Sequence, residues 1–274
     1  KLDEKTLALA KFSKNKLLYG GILANLAIVL DQQGQKQRAI ELYTEGLSFA
    51  ETNGDLSLMG NCLHNISGVY SNLGDHRQAI VFEKKAAEKY RIGQFYKQLN
   101  SAWENLAYYS KEIDSVEMAK NYLDSLANPK IPLNSAQKAL FFLIKGQLAE
   151  NAGNFSAAIP LLDSCVAVGN LANSPINVHN AKATLARIFL QQKKYDLALP
   201  NCLQSLALAK EMGDAIATND DQKRAAECLG KLGRFKEAFE MYDDFEKGRD
   251  TIYTKERFEA VKNVEEKYES EKKE

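Results

Sequence analysis

Apolar residues recur at helical spacing along the chain, as in Leu23, Leu26, Ala27 and Leu30, and this stripe is itself repeated. Ala39, Ala79, Ala119, Ala158, Ala198 and Ala238 are separated by steps of 40, 40, 39, 40 and 40, and five of them precede an apolar residue: Ile40, Ile80, Ile159, Leu199 and Phe239. Five residues before four of these alanines stands Gly34, Gly74, Gly153 or Gly233, with Asp114 and Lys193 in the other two copies. Twelve residues before every one is a small residue: Ala27, Ser67, Ala107, Gly146, Ala186 and Ala226. Small residues on either side of a turn mark two antiparallel helices that must approach closely, and the turn glycine supplies a conformation that side chains adopt only with strain. In the first copy the pattern predicts helix A over about Leu17–Gln32 and helix B over about Lys36–Glu51. Longer joints, Thr52-Asn53-Gly54-Asp55 and Glu211-Met212-Gly213-Asp214, return the chain to the next helix A. One such pair cannot bury its own apolar face, so the copies must stack. The 274 residues therefore count repeats and say nothing about two compact domains, and repeats one to three and four to six read as two halves of one array.

These residues resemble the tetratricopeptide repeat in its longer, forty-residue form. The small-x-x-apolar, glycine, aromatic, alanine-apolar pattern is carried by Ala186-x-x-Phe189 with Tyr195 and Ala198-Leu199, and by Gly233-Arg234-Phe235 with Ala238-Phe239. The match departs from the family at its helix-A tryptophan, since Trp103 is the only one, and at Asp114 and Lys193. The resemblance implies an all-α fold: a right-handed α-α superhelix of six helix pairs with a leading half-repeat and a C-terminal helix. The expected repeats are 20–59, 60–99, 100–138, 139–178, 179–218 and 219–250, after a half-repeat over 1–19 and before a charged helix over 251–274. Asn128-Pro129-Lys130-Ile131-Pro132-Leu133 accompanies the 39-residue step and predicts a joint. Pro160 and Pro200, 40 apart, are expected to loosen the early part of their helices.

In this family the A helices line the surface that binds extended peptides or partner helices. Asn25, Asn65 and Asn105 recur at steps of 40 just before the apolar-small pair of helix A. A row of primary amides offers donors and acceptors to the backbone of an extended chain without reading its side chains. The alternative is asparagine merely tolerated on an exposed helix. The row ends there, because Ile144, Thr184 and Arg224 take its place in later copies. Same-face neighbours add His64, Asn72, Tyr108, Lys111, Gln147, Arg187 and Arg224 as candidate peptide contacts, with the two arginines suited to an acidic end of the ligand.

Composition narrows the function classes. The content is globular, at 45% hydrophobic residues with 16 Gly and 5 Pro, and 36 Lys and Arg balance 36 Asp and Glu. That balance argues against a general nucleic-acid or anionic-membrane surface. No apolar run is long enough to span a membrane, so no insertion is expected within this segment. The four cysteines, Cys62, Cys165, Cys202 and Cys228, have no C-x-x-C spacing and read as small buried apolar residues. No phosphate loop, nucleophile elbow or H-E-x-x-H pair occurs, and His64, His76 and His179 are scattered, so no catalytic residue, metal or cofactor is expected. His76 is expected to cap a helix or face water. At the end of the chain Val261, Val264 and Tyr268 begin a heptad-like seam, suited to a capping helix or to pairing with a second copy. This charged stretch also resembles the juxtamembrane helix of bacterial signalling proteins whose tetratricopeptide array is joined through the membrane to a histidine kinase or helix-turn-helix regulator. That resemblance implies a periplasmic sensor half; the competing expectation is a free-standing cytoplasmic regulator that binds a response regulator or signalling peptide.

Overall fold

The computed structural model describes residues 16–127 and 132–252. Among these the chain is helical, without strands: α1 (Lys16–Gln32), α2 (Lys36–Asn53), α3 (Leu56–Asn72), α4 (His76–Ile92), α5 (Tyr96–Glu112), α6 (Val116–Leu126), α7 (Ser135–Asn151), α8 (Phe155–Leu171), α9 (Pro175–Gln191), α10 (Tyr195–Met212), α11 (Ala215–Lys231) and α12 over 235–252. Most of the leading half-repeat, the centre of the proline joint and the C-terminal seam lie outside the described residues.

Each helix follows from a local cause. The A-to-B turns place Gly34, Gly74, Gly153 and Gly233 at φ of 80°, 78°, 71° and 74°, and Asp114 and Lys193 take the same left-handed conformation at 57° and 58°. Five of the described helices are capped by a side chain that accepts from the amide three residues on: Asp55 from Leu58 at 2.9 Å, Asp75 from Gln78 at 3.0 Å, Asn134 from Gln137 at 2.9 Å, Asn154 from Ala157 at 3.2 Å and Asp214 from Ala217 at 2.9 Å. The repeat alanines Ala39, Ala79, Ala119, Ala158 and Ala198 are fully buried, as are Ala27, Ser67, Ala107 and Ala186. Their close approach is direct: Ser67 Oγ donates to the Ala79 carbonyl at 2.9 Å. At Gly146 an added Cβ would stand 2.8 Å from Leu162.

The prolines do not loosen their helices. Pro160 and Pro200 lie inside α8 and α10, which run through them unbroken. Each sits in the second turn, and the carbonyls it leaves without an amide partner belong to Ser156 and Asp196, both exposed to solvent.

The chain divides into two compact units, Lys1–Gln137 and Lys138–Glu274. In the first, successive pairs stack on cores that include Leu23, Tyr43, Cys62 and Ile66, then Ile80, Tyr90, Leu99 and Leu106. In the second, Leu143, Leu162, Cys165 and Leu185 pack together, then Leu199, Cys202, Cys228 and Leu229. Each unit is thus a stack of helix pairs, the all-α repeat solenoid that the spacing implies.

Candidate functional site

In the first unit the A helices α1, α3 and α5 carry a set of residues in register that are exposed or half-buried. These are Asn25 and Ile28 from α1, Asn61, Asn65, Gly68 and Asn72 from α3, and Asn105 and Tyr108 from α5. The expected asparagines are all there. Asn25 and Asn72 are exposed and Asn65 is half-buried, whereas Asn105 is turned partly inward and donates to Glu83 Oε1 at 3.4 Å. Lys111 is not a free cation: it pairs with Glu112 at 2.5 Å and lies over the Tyr108 ring at 5.2 Å. His76 is half-buried, so it meets water only in part: its ring stacks on Tyr109 and meets Tyr108 edge-on, with centroids 5.8 and 6.0 Å away.

Glycines separate into two kinds on these helices. Gly20, Gly60 and Gly46 sit at close approaches, since a Cβ would stand 2.4 Å from Leu58, 2.4 Å from Tyr90 and 3.2 Å from Cys62. Gly21 and Gly68 do not: nothing lies within 4 Å of a Cβ at either. A mid-helix glycine costs about 1 kcal/mol relative to alanine. At Gly68 packing demands none, and the residue sits in register between the exposed Ile28 and Tyr108, leaving bare backbone at the centre of the face.

Beneath this face is a buried acid that the sequence reading missed. Glu83 on α4 is fully buried; His64 Nδ1 lies 2.8 Å from its Oε1, and its Oε2 has no hydrogen-bond partner. Burial pulls the His64 imidazole down, but the bond and charge of Glu83 outweigh this and hold it above its ordinary value. His64 is therefore anchored through Nδ1 by a carboxylate. The signal was present, since Glu83 occupies the register of Tyr43, Leu123, Leu162 and Cys202, all buried.

Glu104 on α5 is also buried, and desolvation raises its carboxyl to about 7 against a bond from Gln137. A carboxyl raised on folding contributes stability below its unfolded value near 4.3, and that contribution is lost as pH rises toward 7. Glu104→Gln is expected to raise stability by on the order of 1–2 kcal/mol at pH 8, after allowance for solvent screening, and to change little at pH 4. Thermal melts at the two pH values check this.

In the second unit the expected residues are brought onto α7, α9 and α11, but mostly as partners of one another. Gln147 Nε2 reaches Thr184 Oγ1 at 3.4 Å. Arg187 forks the buried Glu150 through Nε at 3.0 Å and a terminal nitrogen at 2.8 Å. Arg224 pairs with Asp221, which is fully buried and lies 2.9 Å from His179 Nε2. The bond to Asp221 lifts the His179 imidazole against burial, and the bonds from His179 and Arg224 keep Asp221 below its ordinary value despite desolvation. The two arginines therefore do not stand ready for an acidic ligand end, contrary to expectation, because their charges are matched within the fold. A cavity of about 470 Å³ remains between α9 and α11, lined by Arg187, Leu190, Asp220, Lys223, Arg224 and Glu227, with both signs of charge. Among the described residues no group of His, Cys, Asp and Glu is arranged to hold a metal, and no helix is long and apolar enough to cross a membrane.

Comparison with known proteins agrees with this architecture. The tetratricopeptide-repeat family is matched over residues 22–56 and again over 60–92. No curated protein sequence matches the chain. Among solved structures, the chain is similar to a Rap protein complexed with competence and sporulation factor: TM-score 0.62, 15% identity, 92% of this chain and 80% of that one. It is similar to the apo form of the quorum sensor NprR from B. thuringiensis, with TM-score 0.62, 13% identity and coverage of 90% and 80%. BtubC from P. vanneervenii gives TM-score 0.63 and 13% identity over 80% of this chain and 92% of that one. At such identities these likenesses speak for the fold alone. With the forty-residue register and the stacked helix pairs, the two matched segments identify tetratricopeptide repeats over residues 22–92 of the chain.

Proposed function

We propose that the chain is a non-catalytic module that binds an extended peptide or protein segment across α1, α3 and α5. The observation that carries this reading is the set of exposed and half-buried residues itself: amides in register at Asn25, Asn65 and Asn105 beside the packing-free backbone of Gly68. Bare backbone lets a ligand chain approach closely, the amides bond its N–H and C=O groups, and Ile28 and Tyr108 offer flanking apolar contact. The Rap and NprR likenesses support the choice of a peptide, since one is a complex with a named factor and the other a quorum sensor. A place in signal transduction follows as part of the same proposal: the sensor half of a bacterial membrane-anchored signalling protein, lying outside the inner membrane. The alternative is a cytoplasmic regulator.

Peptides selected from a random display library on the wild-type chain provide the ligand for a test. Each hydrogen bond contributes about 0.5–1.5 kcal/mol net, so the combined Asn25→Ala, Asn65→Ala and Asn105→Ala variant is expected to lose at least ~10-fold in affinity. Unchanged affinity in a folded triple variant would remove the asparagine row from the site.

A further inference from the structure

Two of the four cysteines meet inside the second unit. Cys202 on α10 and Cys228 on α11 are both fully buried, and their sulfurs are 3.7 Å apart. Cys62 and Cys165 are equally buried but have no sulfur neighbour; Cys165 donates to the Asn177 carbonyl at 3.5 Å. Burial alone pushes the Cys165 thiol up to about 12, and burial with the nearby Asp55 charge does the same for Cys62. At the pair the environment is split: the contact between the two sulfurs, in which either can donate, holds the Cys228 thiol down and the Cys202 thiol up. The pair also lies beside Arg224 and Asp221, and α11 carries Asp220, Lys223, Arg224 and Glu227 to the cavity wall.

We propose that Cys202 and Cys228 form a peroxide-responsive dithiol that closes to an intramolecular disulfide, tying α11, the wall of the cavity, to α10. The chemistry balances in two steps. The Cys228 thiolate attacks one oxygen of hydrogen peroxide, the O–O bond breaks, and with one proton Cys228 sulfenic acid and water result. The Cys202 sulfur then attacks the Cys228 sulfur, the S–O bond breaks, the Cys202 proton joins the leaving hydroxide as a second water, and the S–S bond forms. Two electrons pass from the two thiols to the peroxide. A disulfide needs the sulfurs at about 2.05 Å, so they must approach by roughly 1.7 Å from van der Waals contact. Adjacent packed helices can supply that by a small shift. Peroxide reaches the site through local opening of α10 and α11, the rate-setting event for a buried pair.

The test uses the folded full chain treated with hydrogen peroxide, then denatured, alkylated and analysed by intact mass and peptide mapping. The expected result is alkylation falling from four cysteines to two, with one link between Cys202 and Cys228 inside a single chain and Cys62 and Cys165 still alkylated. In Cys202→Ser the link disappears and Cys228 is trapped as sulfenic acid by dimedone at least ~10-fold faster than Cys62 or Cys165. Four alkylated cysteines after treatment, oxidation spread evenly over all four, or a link between two chains would each overturn the proposal. Cys228→Ser provides a second reading, because it should leave no rapidly reacting thiol in either unit.

Discussion

Asp221→Ala is expected to cost about 3–5 kcal/mol of unfolding free energy at pH 6, read from urea denaturation. Asp221 is fully buried between His179 at 2.9 Å and the Arg224 guanidinium. Deleting the carboxylate leaves the Arg224 guanidinium without its anion and His179 without the bond that holds it protonated, and a buried charge that loses its partner costs far more than the pair itself contributed. Adding Arg224→Leu to the same chain should recover part of the loss, since an apolar replacement of the whole cluster is close to neutral. The pH dependence has a defined sign. Asp221 is depressed on folding, so its contribution holds above its unfolded value near 3.9 and is lost as pH falls through the folded value. His179 is raised on folding, so its contribution holds below about 6.5 and is lost as pH rises through the folded value. The cluster therefore stabilises most between about pH 4 and 6.5. A cost under about 1 kcal/mol at pH 6 would mean that Asp221 is not the buried hub described.

Gly68→Trp is expected to have the largest effect on binding and almost none on folding. No atom lies within 4 Å of a Cβ at this position, so the first side-chain atom meets no clash, and replacing a mid-helix glycine should hold or slightly raise the melting temperature. The same ring fills the space over α3 between Asn61 and Asn72 where the ligand backbone is proposed to pass. Affinity for display-selected peptides should fall by more than ~30-fold, as when the centre of an interface is blocked. Gly60→Trp is the contrasting variant: its Cβ would stand 2.4 Å from the Tyr90 ring, so folding itself should fail. Full affinity in a folded Gly68→Trp chain would place the ligand elsewhere.

The repeat register was legible because it is steric. Small residues such as Ala27 and Ser67 and the turn glycines are fixed by close approach and backbone sign, and the helix A expected from Leu17 begins at Lys16 while helix B runs to Asn53. Asp114 and Lys193, although not glycine, were placed in the turns by register alone, and both have positive φ. The polar interior was not legible from motifs, because His64 with Glu83 and His179 with Asp221 join residues 19 and 42 apart across different helices. Register held a partial clue there: Asp221 aligns with Ala181, Ala102 and Cys62, which are fully buried, and with Phe141 and Ile22, which are half-buried. Arg187 and Arg224 misled for the same reason. A surface pattern shows which face a cation shares but not that Glu150 and Asp221 already neutralise it.

The central claim, that the amides of α1, α3 and α5 bond a ligand backbone, is tested most directly by following the side-chain carboxamide NMR signals of Asn25, Asn65 and Asn105 while a display-selected peptide is added. The account predicts that all three shift, saturate together with the peptide's own affinity, and stay still in Gly68→Trp. Signals that remain fixed in the wild-type chain while the peptide binds would contradict it.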